Sequence, residues 1–403
     1  MTTLDIAQQL TMSPHLPNTE IKKIQRVGVI GGGQLAWMMA KAAQSLAIEL
    51  VVQTPHATDP APQTGAATIL APIQDASATA KLATESDIIT FENEFVNLDA
   101  LEVLANNGVI FAPSLSALSP LLDKYDQRCY LQNLGLPTPQ FITIAAGETI
   151  KNPFGFPVVV KARRHGYDGQ GTFIVKNQTE LETVGKKLQS QNILIEEFIP
   201  FQQELAVIAA RSNTGELSIY PIVETQQKNQ VCRLVFAPAN IENEIAKTAA
   251  NMAATLLESL QFVGLLAIEL FLTSTGKLLV NEIAPRTHNS GHFTIDACET
   301  SQFEMHLRAV SNLPLGNPSL KCPGAVMVNL LGYESSHSDY YQQREKIAEI
   351  PFAHVHWYGK TESRSGRKLG HVTVLLQNLS PNEQRLQALA IADKIEAIWQ
   401  GQW

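Results

Sequence analysis

The sequence predicts a chain of several units in two fold classes, α/β at its N-terminal end and α+β beyond it, on three observations. Over residues 25–122 short apolar runs alternate with Leu- and Ala-rich helical stretches, the signature of a parallel sheet with crossover helices. From residue 123 the apolar runs instead follow one another with hairpin-style returns, which makes the sheets there more antiparallel. The length, 403 residues, suggests two or three domains at ~150 residues each, enough to bury real cores.

The elements follow in order from a loose polar extension, residues 1–24. The apolar run 27–30 meets Gly31-Gly32-Gly33 and then a helical spacing of Leu35, Met38, Met39, Ala42 and Ala43, which reads as strand, tight turn and helix. Further strands are expected at 48–52, broken by Thr54-Pro55, at 87–91 and at 109–111. Residues 123–134 carry a helical pattern that stops at Gly135, and Pro137 and Pro139 cannot continue it, so the first unit closes near 122. Strands are expected next at 158–161, 172–175, 193–196 and 204–210. A helix at 242–260, a hairpin over 265–283 and a helix at 303–310 complete the middle; short strands from 325 end in a helix at 383–399. These breaks divide the chain into 1–24, 25–122, 123–200, 201–324 and 325–403.

Composition excludes several function classes. With 30 basic against 38 acidic residues, a net charge of −8, the chain is no general binder of nucleic acid or anionic membrane, and an anionic ligand must meet a local basic site. Apolar residues make up 45% and charged residues 17%, so charge repulsion does not keep the chain unfolded. Cys129, Cys232, Cys298 and Cys322 form no C-x-x-C pair and read as reduced thiols. The longest charge-free stretch, 103–122, holds Asn106, Asn107, Pro113 and Pro120 and cannot span a membrane. The first 21 residues lack Lys and Arg, which argues against a secretory or transit leader, and the expected compartment is the cytoplasm.

Four motifs carry chemistry. Gly31-Gly32-Gly33-Gln34-Leu35-Ala36 fits G-x-G-x-x-A between strand and helix, but Val52-Gln53-Thr54 stands where a dinucleotide fingerprint has an acid, leaving a structural turn or another anion site. Lys161 at a strand end precedes Gly166, Tyr167, Asp168, Gly169, Gln170, Gly171 and Thr172, a loop whose amides can fold over polyphosphate while the lysine supplies charge. In 193–200 a strand enters the turn Glu196-Glu197-Phe198-Ile199, whose backbone can read an adenine edge, and Glu204 stands at the start of the next strand. A two-residue loop at Thr275-Gly276 puts Glu269 directly opposite Glu282, with Cβ atoms ~5 Å apart. Like charges so placed repel, and a shared hard cation such as Mg²⁺ turns that repulsion into a site. A polar loop, 284–292, and a basic cluster of Lys360, Arg364, Arg367 and Lys368 follow.

In this order the motifs resemble the ATP-grasp superfamily. Within it, the stretch Asn281-Glu282-x-Ala-Pro-Arg286-x-His-Asn289-Ser-Gly-His292, with His356-Trp-Tyr-Gly-Lys360 and Gly366-Arg367-Lys-x-Gly-His371, is similar to the 5-(carboxyamino)imidazole ribonucleotide synthases. The resemblance implies an ATP-grasp architecture: a parallel-sheet pre-ATP-grasp domain, a two-part ATP-grasp domain and a small β-rich C-terminal unit. It implies an ATP-dependent ligase that carboxylates 5-aminoimidazole ribonucleotide with bicarbonate in purine biosynthesis, through carboxyphosphate, as a homodimer. Carried over, Lys124, Lys161, the 166–172 loop, Glu204, Gln227, Asn281 and Glu282 would bind ATP, with Glu196, Glu197, Phe198 and Ile199 at the adenine and Glu269 and Glu282 holding Mg²⁺. Gln34, Glu92, Glu94 and Tyr167 would face the ribonucleotide, Lys360 and Arg367 its phosphate, and Arg286 with Asn289 the bicarbonate-derived group, while Asp168 orients the amine. Gln227 replaces a histidine common in that family, and the 1–24 extension lies outside its core. The competing readings are another ATP-grasp ligase or formyltransferase acting on an aminated ribonucleotide, and a nicotinamide-linked dehydrogenase, against which Gln53 counts.

Overall fold

The continuous apolar runs of the first unit are buried on both faces because helices cover both sides of a parallel sheet. That sheet is built from β1 (Arg26–Ile30), β2 (Glu49–Thr54), β3 (Ala67–Leu70) and β4 (Ile88–Phe91), in the order β3-β2-β1-β4. Val27, Val29 and Val52 pack under α1 (Gln34–Ser45), while Ile30, Val51 and Ile89 meet α2 (Ala76–Thr84) and α3 (Leu98–Asn106) on the other face. The expected strand at 109–111 shrinks to a single bridge from Phe111 to Ile89, since Pro113 and α4 (Leu115–Leu118) follow at once. The sequence reading missed β3, a half-exposed edge strand whose Ala-Thr-Ile-Leu carries no clear apolar period. This computed structural model describes residues 24–164, 171–228 and 230–401.

Asp123 caps α5 (Lys124–Asn133), its carboxylate accepting the Tyr125 amide at 2.9 Å, and so fixes where the helix starts. A four-stranded antiparallel sheet follows: β5 (Phe141–Ile144), β6 (Val158–Ala162), β7 (Thr172–Val175) and β8 (Ile193–Glu197), ordered β5-β8-β6-β7 and backed by α6 (Gln178–Leu188).

The third sheet has nine strands: β9 (Phe201–Arg211), β10 (Leu217–Ile219), β11 (Val223–Lys228), β12 (Val231–Ala237), β13 (Gly264–Thr273), β14 (Leu278–Ala284), β15 (Ala325–Leu331), β16 (Ala353–Trp357) and β17 (Lys368–Leu375). They run β14-β13-β9-β11-β12-β15-β17-β16, with β10 beside β9. Strand β9 begins at Phe201, so Glu204 lies inside the strand rather than at its start. The long helix α7 (Asn243–Ser259) buries Ala249, Met252, Ala253, Leu256 and Leu257 against this sheet. The strands beyond residue 325 join the same sheet, β15 pairing with β12 from Leu234 opposite Val328 to Ala237 opposite Ala325. Helices α8 (Thr294–Ala297) and α9 (Gln302–Val310) lie between; α10 (Tyr341–Ala348) and α11 (Pro381–Trp399) cover the tail strands. The first unit rests on this body through α1 and α9, where Leu35, Met38 and Met39 share a buried cluster with Phe303, Leu307 and Val310.

The β13–β14 hairpin places Glu269 opposite Glu282, as expected, but by another route. Its loop has three residues: Thr273 donates to the Lys277 carbonyl at 3.0 Å and Gly276 sits at φ +78°, in the left-handed region that glycine tolerates. This shifts the ladder by one, so Leu270 faces Val280, and a bulge at Asn281 shifts it back. No helix among the described residues is long and apolar enough to cross a membrane, and no disulfide joins the four cysteines.

Candidate active site

A cavity of about 390 Å³ opens between the four-stranded sheet and the nine-stranded one. Its wall includes Lys124, Lys161, Thr172, Glu196, Glu197, Phe198, Ile199, Glu204, Gln227, Glu269, Asn281, Glu282 and Asn289. The structure thus gathers most of the expected nucleotide and metal residues in one place. Gly166, Tyr167, Asp168, Gly169 and Gln170 lie outside the described residues.

Bulging at Asn281 explains how one short strand serves the cavity twice. Two successive side chains oppose the single Glu269, and both Asn281 and Glu282 line the cavity instead of alternating across the sheet. Asn281 accepts from Lys161 Nζ at 3.1 Å through Oδ1 and donates toward Glu269 Oε2 at 3.4 Å through Nδ2. Glu282 is ion-paired with Lys124, the first residue of α5. Burial disfavours its charge, but Lys124 and Lys161 outweigh burial and hold its carboxyl below the usual range. Burial and then the nearby Glu282 charge push Glu269 up to about 7. Burial followed by Glu269 does the same to Glu204, also to about 7. The facing carboxylates of Glu269 and Glu282, with the Asn281 amide between them, form an oxygen donor set that fits a hard divalent cation.

Some side chains do other work than expected. Glu196, expected with its neighbours at the adenine through the backbone, has its carboxylate buried between Arg128 Nε and Lys161 Nζ, the latter at 2.7 Å. Burial opposes its ionisation, yet these two cations overcome it and bring it to about 2. That carboxylate holds Lys161, and Glu196, Glu197, Phe198 and Ile199 line the cavity together. Asn289, expected with Arg286 at the bicarbonate-derived group, lines this cavity and exchanges hydrogen bonds of 2.9 and 2.7 Å with the Asn329 amide.

Among the described residues, Gln34, Glu92, Glu94, Arg286, Lys360 and Arg367, expected at the second substrate, do not line this cavity. Arg286 forms a two-pronged pair with Glu94, NH2 meeting Oε1 at 2.9 Å. Glu92 packs into the glycine turn, and a Cβ at Gly31 or Gly33 would strike its carboxyl group, so the chain's own side chain fills that turn. Burial raises Glu92 to about 7 against the pull of Arg286. Gln53, in the fingerprint position, is buried and bonds the Pro72 and Asp75 carbonyls and the Thr79 hydroxyl, a structural part. Lys360 Nζ reaches Gln34 Oε1 and the Lys368 carbonyl, each at 2.7 Å, and Arg367 donates to the Glu362 carbonyl at 2.8 Å.

Sequence reasoning missed Arg128, although its i,i+4 spacing from Lys124 on one helix was a readable signal. It grouped Lys368 with the basic cluster of Lys360, Arg364 and Arg367, whereas Lys368 lines the cavity. The stacked rings of Phe201 and Phe271, 4.8 Å apart at the cavity wall, come from two strands far apart in sequence and left no local mark.

Three family models match in series: a ribonucleotide synthetase pre-ATP-grasp domain over 24–119, an ATP-grasp domain over 129–303 and a phosphoribosylaminoimidazole carboxylase C-terminal domain over 325–385. The chain is 53% identical over 382 residues to the N5-carboxyaminoimidazole ribonucleotide synthase of Synechococcus elongatus, covering 94% of this chain and 96% of the relative. It is 38% identical to the Bacillus subtilis enzyme of that name, over 90% of this chain and 94% of that one. Among solved structures, the Thermotoga maritima N5-carboxyaminoimidazole ribonucleotide synthetase superposes with a TM-score of 0.82 at 38% identity, covering 93% and 98% of the two chains. An Aspergillus clavatus N5-carboxyaminoimidazole synthase complexed with ADP and 5-aminoimidazole ribonucleotide gives a TM-score of 0.84 at 30% identity, over 92% and 99%.

Proposed function

Since the chain belongs to the N5-carboxyaminoimidazole ribonucleotide synthases, we infer that it is an ATP-dependent ligase of purine biosynthesis that carboxylates 5-aminoimidazole ribonucleotide. The observation that carries this reading is the cavity in which the Asn281 bulge aligns Glu269, Asn281 and Glu282 beneath Lys124 and Lys161. Lys124 and Lys161 supply charge for the phosphates, Glu197 to Ile199 the adenine wall, and Glu204 a carboxylate for the ribose. Glu269 and Glu282 would hold Mg²⁺, which when bound neutralises phosphate charge. The reading includes the unit boundaries at 122, 200 and 324, bicarbonate as co-substrate, and a homodimer in the cytoplasm.

Bicarbonate is a poor electrophile because delocalised negative charge shields its carbon. Phosphorylation by the ATP γ-phosphate gives carboxyphosphate, whose phosphate then leaves as the amine attacks the carbon. A planar guanidinium suits two oxygens of that group, and Arg286 has the fork, held in position by Glu94. Lys360 and Arg367 bind the ribonucleotide phosphate, with Gln34 between Lys360 and the glycine turn. Asp168 orients the amine.

The test measures ADP release in bicarbonate buffer with 5-aminoimidazole ribonucleotide and, separately, with glycinamide ribonucleotide. The expected outcome is release that requires the imidazole substrate and bicarbonate, with ¹⁸O passing from bicarbonate into phosphate. Equal release with glycinamide ribonucleotide would favour the other ATP-grasp ligase, and unlabelled phosphate would remove carboxyphosphate from the route.

A further inference from the structure

Behind the substrate side, α8, β16 and β17 bring together a cluster that the reaction does not use. His356 and His371 are cross-strand neighbours on β16 and β17, their rings stacked with centroids 4.6 Å apart. Asp296 of α8 meets them, its Oδ2 2.8 Å from His356 Nε2, and its other oxygen lies 3.6 Å from His354 Nδ1. One ligating atom each from Asp296, His356 and His371 fits within 4.8 Å of the others. His371 is fully buried, with Nδ1 bonded to the Tyr358 hydroxyl at 2.8 Å, while its Nε2 has no hydrogen-bond partner among the described residues. The neighbouring His292, its ring 5.1 Å away, has a second buried Nε2 in the same condition. Leaving such an atom unsatisfied costs free energy, so an orphan nitrogen on a member of a His/Asp cluster points to a ligand.

We propose that Asp296, His356 and His371 bind one divalent transition-metal ion of zinc type, with water as the fourth donor. Two imidazoles and a carboxylate suit zinc-class ions and not Mg²⁺, which selects oxygen. A tetrahedral ion with bonds of about 2.0–2.1 Å sets its donors about 3.3 Å apart, inside the range of separations here, and binding turns one of the two stacked imidazoles so that its in-plane lone pair meets the ion. Binding releases the proton now shared between His356 Nε2 and Asp296 to solvent. The hydrogen bond between His371 Nδ1 and the Tyr358 hydroxyl occupies that ring nitrogen and leaves Nε2 as the ligand. The ion ties α8 to the two strands, just before Tyr358 and Lys360.

The test uses the full chain, stripped with a chelator and titrated with Co²⁺ and with Zn²⁺. The expected result is one equivalent bound, with the visible absorption of four-coordinate Co²⁺ that Zn²⁺ bleaches. His356→Gln and Asp296→Asn should each weaken Zn²⁺ at least tenfold, while Glu282→Gln, in the nucleotide cavity, leaves it unchanged. The wild-type Co²⁺ spectrum decides even if a variant fails to fold: no four-coordinate band at micromolar protein overturns the site. Equal binding by His356→Gln, or loss of the ion in Glu282→Gln, overturns it as well.

Discussion

Glu269 and Glu282 are chemically identical but titrate differently because only Glu282 has Lys124 against it. Glu269→Gln should therefore abolish ATP turnover while leaving the cation-free protein as stable or more so. Glu282→Gln should abolish turnover and also lower the melting temperature, since it strands Lys124. Both are read by ADP release and thermal melts in chelator, and equal stability effects would refute the asymmetry. A pH dependence follows. Glu269 rises from its ordinary 4.5 to about 7, so between these values the fold retains a proton that the unfolded chain has lost. Its stabilising contribution is complete below 4.5 and disappears as the pH climbs through 7. Wild-type melting temperature should thus fall relative to Glu269→Gln from pH 5 to 8 without Mg²⁺, and Mg²⁺ should remove the difference. At the other site, Arg286→Lys should lower kcat ~10²-fold with near-normal ATP binding, because a point charge lacks the fork for two oxygens. A matching rise in KM for ATP would place Arg286 at the nucleotide instead.

The Asn281 bulge is the element on which the nucleotide cavity depends. Its amide links Lys161 to Glu269, and a hydrogen bond to a charged group contributes ~1.5–3 kcal/mol. Asn281→Ala should raise KM for ATP about tenfold or more and leave KM for the ribonucleotide within twofold, as steady-state kinetics would reveal. The opposition of Glu269 and Glu282 was legible in sequence through two errors that cancel: the loop is one residue longer than the Thr275-Gly276 reading, and the bulge adds one residue back. Bulges leave little trace in a hydrophobic pattern, because Val280 and Ile283 remain buried on either side. Helices α5 and α7 were legible almost to the residue, since a capping Asp123 and a long apolar stripe are local signals. Strand β3 was not, because an edge strand needs no apolar face.

Across the molecule, Lys360 spans the join between first and last units by reaching Gln34 beside the glycine turn. Lys360→Ala should raise KM for 5-aminoimidazole ribonucleotide ten- to hundredfold and spare ATP. Equal damage to both constants would assign the lysine to the nucleotide. Contacts of this reach explain what the sequence left unread at the site. Lys360 and Arg367 could be picked out as a basic cluster, but the pairing of Arg286 with Glu94, 192 positions away, is fixed only by docking of α1 on α9 and by the course of β14.

That β12 pairs with β15 has a practical bearing on how this protein can be divided. A chain stopped after residue 324 would keep the nucleotide cavity's carboxylates yet lose the three strands that continue the sheet. The backbone of Leu234 to Ala237 would then face water as an unpaired, apolar edge, a template for adding strands from other molecules. Such a fragment should be recovered in inclusion bodies or as large species on size-exclusion chromatography. A monodisperse, ADP-binding fragment would mean that the tail is a detachable module and not part of the folding unit.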